Sequence, residues 1–194
     1  MRIVSGRFKG RKLAPPPEDS SIRPTSDRAR EALFDILTHA PWSPGLEQAR
    51  VLDLYAGTGA LGFEALSRGA VHATFVEHSR VALALLRQNA AHLGVTDVTT
   101  ILGVDVASMR NAPAQPFDIA FIDPPYEKGL GPVGLARLQQ PGWLNPEGVA
   151  IVETSIAEEW VVPEAWVKLD ERRYGKARLT MLRPSQLSEQ VSPQ

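Results

Sequence analysis

Apolar residues recur along this chain in two rhythms. Short runs near 50–55, 72–77, 98–102, 117–122 and 148–153 have the length and the β-branched and aromatic content of buried strands. Helically spaced apolar positions fill 60–68, 79–93 and 131–140 between them. An earlier stripe, Ala29, Leu33, Ile36 and Leu37, predicts a helix capped at Thr25 or Ser26 and ending near His39. Strands alternating with helices predict a doubly wound α/β fold around a mostly parallel sheet. The stretches 166–172 and 177–183, joined around Tyr174-Gly175, predict an antiparallel hairpin that closes a seven-stranded sheet.

The amino-terminal end has its own pattern. Ile3-Val4-Ser5 and Arg11-Lys12-Leu13, about Lys9-Gly10, predict a small β-hairpin, followed by the stiff connector Pro15-Pro16-Pro17. The expected layout is a basic hairpin extension and linker over 1–24, one α/β domain over 25–183, and a loose polar tail over 184–194. There are no internal repeats. Because the glycine loop and core strands lie later, deleting residues 1–14 is expected to spare folding.

Charge changes the picture only when it is divided. The formal net charge of −1 hides a first stretch of 30 residues with eight Lys or Arg against three acids, while the remainder is net acidic. A localised basic arm is the footprint of a phosphate-backbone binder. Arg7, Lys9, Arg11 and Lys12 cluster around the turn, Phe8 sits among them as a stacking group, and Arg23 and Arg28 follow as further candidate contacts to such a partner. The plainer reading is a solvated basic tail. With 194 residues and 43% hydrophobic content the chain suits one domain, and no apolar run is long enough to span a bilayer. The start lacks the apolar core of a secretory signal, so a cytoplasmic monomer is the expectation. The absence of cysteine excludes disulfides, thiolate metal sites and a cysteine nucleophile, and His39, His72, His78 and His92 show no ligand spacing, so no metal is expected.

Candidate chemistry begins at Val51-Leu52-Asp53-Leu54-Tyr55-Ala56-Gly57-Thr58-Gly59-Ala60-Leu61-Gly62. A short strand runs into G-x-G-x-x-G and then into a helix, the pattern of a nucleotide loop, for which a dinucleotide is the default ligand. Asp53 argues otherwise: a pyrophosphate would be repelled by it, and a cationic sulfonium ligand with an amino group would be attracted. Glu77, after the run Thr74-Phe75-Val76, is spaced to accept hydrogen bonds from ribose hydroxyls. Its plainer role is an acid flanking a helix cap. Asp105, in Gly103-Val104-Asp105-Val106, is placed to accept from an adenine amine beside a backbone N–H, although a loop aspartate is more often a cap.

Asp123-Pro124-Pro125-Tyr126 follows the run Phe117–Ile122 and puts a carboxylate, a stiff backbone and an aromatic ring at a strand's carboxyl end. Asp123 can accept from an exocyclic amine, the Pro124 carbonyl can serve as a second acceptor, and Tyr126 offers a ring for stacking. A hydride-transfer site has no use for this group.

These motifs, in this order, resemble class I S-adenosylmethionine-dependent methyltransferases acting on exocyclic amines. The stretches Arg2–Leu13 and Arg23-Pro24-Thr25-Ser26-Asp27-Arg28-Ala29-Arg30-Glu31-Ala32-Leu33-Phe34 are similar to the RsmD-type enzymes, which methylate a guanine N2 of bacterial small-subunit ribosomal RNA. The resemblance spans residues 2 to about 183. It implies a Rossmann-like fold and an S-adenosyl-L-methionine site at Asp53, Ala56, Gly57, Gly59, Leu61, Gly62, Glu77, Asp105 and Val106. Chemistry would lie at Asp123, Pro124 and Tyr126, with small-subunit ribosomal RNA, free or in the assembling subunit, as partner. The rivals are a DNA adenine-N6 or cytosine-N4 methyltransferase, a nicotinamide oxidoreductase and a noncatalytic RNA-binding module.

Overall fold

The computed structural model describes residues 1–16, 27–125 and 129–185. Four helices, α1 (Asp27–His39), α2 (Ala60–Ser67), α3 (Arg80–Leu93) and α4 (Gly131–Leu138), alternate with strands β1 (Arg50–Leu54), β2 (His72–Val76), β3 (Thr99–Leu102), β4 (Phe117–Ile122) and β5 (Leu144–Ser155), before the hairpin β6 (Trp166–Tyr174) and β7 (Ala177–Pro184). They form one seven-stranded sheet in the order β3-β2-β1-β4-β5-β7-β6. The pairings from β3 across to β5 are parallel, and β7 is antiparallel to both its neighbours. The expected α/β class and closing hairpin are therefore present.

Two buried clusters explain the layering. Val51, Ile119, Phe121, Ile151 and Leu179 join Leu33, Phe34 and Leu37 of α1, Phe63 and Leu66 of α2 and Leu86 of α3 on one face. Leu52, Leu54, Ile122, Val152 and Leu182 join Leu135 and Leu138 of α4 on the other. A strand buried on both faces reads as a continuous apolar run, which is why β1 and β4 stood out by composition rather than by alternation. β5 is longer than its apolar run at 148–153: Leu144 pairs with Phe117, and the register shifts before Ile119 meets Val149. Pro146 and Gly148 within that irregular stretch concealed the strand from its sequence.

The amino-terminal arm departs from expectation. It forms no two-stranded ladder but one antiparallel bridge, Arg2 with Lys12, around a 3-10 turn at Gly6–Phe8. Nor is it an appendage, because Ile3, Phe8 and Leu13 are buried in the same cluster as α1, α2 and α3. Glu64 of α2, itself fully buried, accepts hydrogen bonds from Val4 N (2.7 Å) and Ser5 N (2.9 Å). It also meets Arg68 at 2.8 Å and the buried Arg30 at 3.8 Å, and Arg30 donates to the Arg2 carbonyl at 2.7 Å. Removal of residues 1–14 would strip apolar cover and leave this ionic group exposed or unpaired, so the expectation that folding survives the deletion is corrected. Pro17, Arg23, the helix cap at Thr25 or Ser26, and residues 186–194 lie outside the described residues. Pro184 and Ser185, expected to be loose, are the end of β7 and a donor to the Ala165 carbonyl at 2.8 Å.

Candidate active site

The sheet's carboxyl edge gathers the sequence motifs. After Leu54 the chain turns at Tyr55 (φ 61°) and Gly57 (φ 54°), and passes Gly59 (φ 81°) into α2. Gly59 is required by packing as well as by conformation: a Cβ there would lie 2.5 Å from Phe63 and 2.6 Å from Leu86. A Cβ on Gly62 would collide with Phe75. Those two glycines admit neighbouring side chains, a reason the motif alone does not disclose.

Hydrogen bonds to neighbouring segments hold the loop. Ala56 N donates to the Val76 carbonyl (3.1 Å) and Gly57 N to Glu77 Oε2 (3.0 Å). Gly62 N donates to Asp53 Oδ2 (2.9 Å), and Asn89 of α3 donates to the Thr58 carbonyl (3.0 Å). Asn89, buried at 1% exposure, also accepts from Ala14 N at 2.8 Å, so one amide joins the loop, α3 and the arm. Sequence reasoning missed Asn89, since one polar residue within a helix carries no distinguishing pattern. Ala56 and Leu61 line the buried side of the loop.

Asp53 was expected to face the ligand's positive charge. Its carboxyl group is 2% exposed and braces the start of α2 through Gly62. Burial pushes its pKa up to about 8, against the pull of the Gly62 N–H and with the nearby Glu77 charge adding to the rise. The folded state therefore keeps a proton that the unfolded chain, with its pKa of 3.8, has already released. Stability from this group is complete below about pH 4 and declines as pH rises toward 8. An Asp53→Asn variant cannot titrate, so thermal melts from pH 5 to 8 should show the variant gaining on the wild type as pH rises. Parallel curves would mean that Asp53 does not titrate in this window.

Glu77 ends β2 where the spacing put it. Its Oε1 accepts from His78 N (2.8 Å) and Ser79 N (2.7 Å), and its Oε2 from Gly57 N. It braces the turn into α3 and the glycine loop together; Oε1 is filled by its two N–H donors, and Oε2 keeps a second lone pair for a hydroxyl donor. Asp105 is a cap: its Oδ1 accepts from Ala107 N at 2.8 Å, while Val106 is buried beneath it. Asp123, half-buried, and the buried Pro124 follow β4 directly, and Pro125 is exposed; Tyr126 lies outside the described residues. Tyr55 is a further member. Its hydroxyl donates to the Leu130 carbonyl at 3.1 Å, tying the glycine turn to the segment beyond Asp123. Burial and the Asp105 charge push its pKa up to about 12, so this donor persists across ordinary pH.

The basic arm lies on the α2 and α3 side. Arg7, Lys9, Arg11, Lys12 and Arg28 are exposed, whereas Phe8 is 9% exposed. The guanidinium groups of Arg7 and Arg11 sit 4.5 Å and 5.4 Å from the Phe8 ring centroid. Phe8 is thus no stacking surface for a base. It anchors the arm and carries two of its cations. Arg23 lies outside the described residues. Among the described residues no group of His, Asp or Glu is arranged to hold a metal ion, and no helix is long and apolar enough to cross a membrane.

The family model described as Conserved hypothetical protein 95 matches residues 1–183. Ribosomal RNA small subunit methyltransferase D of Escherichia coli K12 is 37% identical over 167 residues, covering 86% of this chain and 81% of that protein. The chain belongs to that family. The methyltransferase D of Haemophilus influenzae is 35% identical over 178 residues, 90% of this chain and 89% of that one. Among solved structures, yhhF from Escherichia coli superposes with a TM-score of 0.80 at 35% identity, over 95% of this chain and 97% of the other. Membership in the methyltransferase D family and its class I methyltransferase fold accord with the order of motifs along this chain.

Proposed function

We propose that this protein transfers a methyl group from S-adenosyl-L-methionine to the exocyclic N2 amine of a guanine in small-subunit ribosomal RNA. The observation that carries the reading is the placement of Asp123 and Pro124 at the end of β4, directly beside β1 and the glycine loop that follows it. The residues fit the cofactor chemically. The turn over Tyr55–Gly59 is fixed by backbone bonds, Glu77 stands at the end of β2 with a lone pair on Oε2 for a ribose hydroxyl, and Asp105 with Val106 N–H follows β3 where a nucleobase would lie. When bound, the cofactor supplies a methyl group already activated on a sulfonium.

Everything else is orientation and electrostatics. An aromatic amine is a poor nucleophile because its lone pair is delocalised into the ring. Asp123 and the Pro124 carbonyl each accept one N–H and aim the lone pair at the methyl carbon. Asp123 need not be a strong base, because the amine becomes acidic only as the new bond forms. The exposed cations of the arm and Arg28 supply attraction to phosphates. The target base must be unpaired or turned out of its helix to reach the edge of the sheet.

The test is direct. The protein is incubated with S-adenosylmethionine and small-subunit particles from a strain lacking the enzyme, and the RNA nucleosides are resolved by mass spectrometry. N2-methylguanosine is the expected product; methyladenosine or methylcytidine instead would move the reading to another amine. Glu77→Ala should weaken S-adenosylmethionine binding by about 2 kcal/mol or more, the loss typical of charge-assisted hydrogen bonds. Calorimetry showing unchanged affinity in a folded variant would leave Glu77 with only its backbone role.

A further inference from the structure

A base reaches Asp123 attached to a strand of phosphates, and those phosphates extend to both sides of it. The turn of the arm serves one side. Phe8 N donates to Ser67 Oγ of α2 at 2.9 Å and Arg11 donates to the His92 carbonyl of α3 at 3.5 Å, and these two helices pack on β1, β2 and β3. The other half of the sheet, β5, β7 and β6, carries a second basic group.

Ile122, which precedes Asp123, stands in one row with Val152 of β5, Thr180 of β7 and Glu171 of β6. Beyond that row, toward the carboxyl edge, the β6–β7 hairpin carries Arg172, Arg173, Lys176 and Arg178 within seven residues and no acid. They are four of the thirteen Lys and Arg that follow residue 30, in a part of the chain that is net acidic. β7 is two strands from β4, about 10 Å across the sheet, so the tip borders the edge where the base must enter. The tip is held firmly. Tyr174 packs, partly buried, against the cluster that contains α1; Ile156 N donates to the Lys176 carbonyl at 2.9 Å, and Arg178 donates to the Ile156 carbonyl at 3.1 Å.

These charges do not serve folding. Arg173 and Arg178 stand directly opposite each other in the ladder, a like-charge pairing that disfavours the hairpin. Arg172 meets Asp170 at 2.9 Å and Arg173 meets Glu171 at 3.6 Å, with the arginine side chains 54% and 68% exposed. Exposed pairs of this kind are weak enough for a phosphate to displace. No described acid pairs with the exposed Lys176. Charge on an edge strand such as β6 also guards against pairing with other chains, a purpose that Lys168 on the same strand serves equally well.

We infer that the tip of the β6–β7 hairpin, through Arg172, Arg173 and Lys176, is a second RNA contact that binds phosphates on the side of the target nucleotide opposite the arm; this rests on the proposed function. RNA gripped at both places is held across the end of β4, where Asp123 and Pro124 follow. Once one grip is made the other becomes intramolecular, so each raises the affinity of the whole.

The test measures affinity for small-subunit particles, and for small-subunit RNA freed of protein, across a salt series. Arg173→Gln combined with Lys176→Gln should lower the slope of log affinity against log salt by about 1.4 to 1.8, since each lost phosphate contact removes about 0.7 to 0.9. Lys176→Gln alone should lower it by about half as much, which covers the case of a double variant that does not fold. Lys168→Gln should leave it unchanged. In methyl transfer the double variant should raise the KM for particles and keep kcat within about twofold, the pattern of lost uniform binding. An unchanged slope in a folded variant overturns the inference. So does an equal loss in Lys168→Gln, which would make the effect one of edge charge at large. A change seen with particles and not with protein-free RNA would assign the tip to a protein of the subunit and overturn it as well. Absence of methyl transfer by the wild type refutes the proposed function, and the binding slopes still decide the role of the tip.

Discussion

Replacing Asp123 with alanine should slow methyl transfer by roughly a hundredfold or more, the loss that follows removal of one preorganised partner from a transition state. The group follows β4, whose position is set by β1 on one side and β5 on the other, so the backbone should be undisturbed. Cofactor affinity should change little, because the glycine loop is held by Asp53, Glu77 and Asn89. Single-turnover rates with small-subunit particles, set beside calorimetric binding of S-adenosylmethionine, separate the two effects. A rate near that of the wild type would sink the assignment of Asp123 as amine acceptor.

The largest effect on stability is expected at Glu64. Its two oxygens accept from Val4 N and Ser5 N and face the guanidinium groups of Arg68 and Arg30, and neither Glu64 nor Arg30 has any exposed surface. Removing one member of a buried ionic group leaves the other charge uncompensated, which typically costs about 3–5 kcal/mol. Glu64→Leu should therefore lower the free energy of unfolding by that order in a denaturant titration. Asp35 makes the contrast. It also meets Arg68, at 3.4 Å, but its side chain is 62% exposed, and Asp35→Ala should cost under about 1 kcal/mol. Equal losses at the two positions would mean that burial does not set the energetics of this cluster.

The core strands and helices were legible because their apolar runs have unmistakable lengths and glycines or caps at their ends: Ser79 before α3 and Gly94 after it are read directly from the chain. Positions along the carboxyl edge were legible for the same reason, since Asp123, Glu77 and Asp105 each follow a recognisable run. What side chains do there was less so. Asp53 and Glu77 bind backbone N–H groups contributed by other segments, and that choice depends on how β1, β2 and α2 come together. Phe8 among arginines reads as a base-stacking ring until α2 and α3 supply the surface that covers it.

The arm's attachment also fixes an order of events during synthesis. Val4, Ser5 and Phe8 find their partners in Glu64 and Ser67, about sixty positions later in the chain. At roughly 5–20 residues per second, the arm waits on the order of 3–12 s before those partners have even been made. The arm therefore cannot nucleate the fold. It closes over α2 late, and until then its apolar anchors and its cluster of cations travel without the cover of that helix.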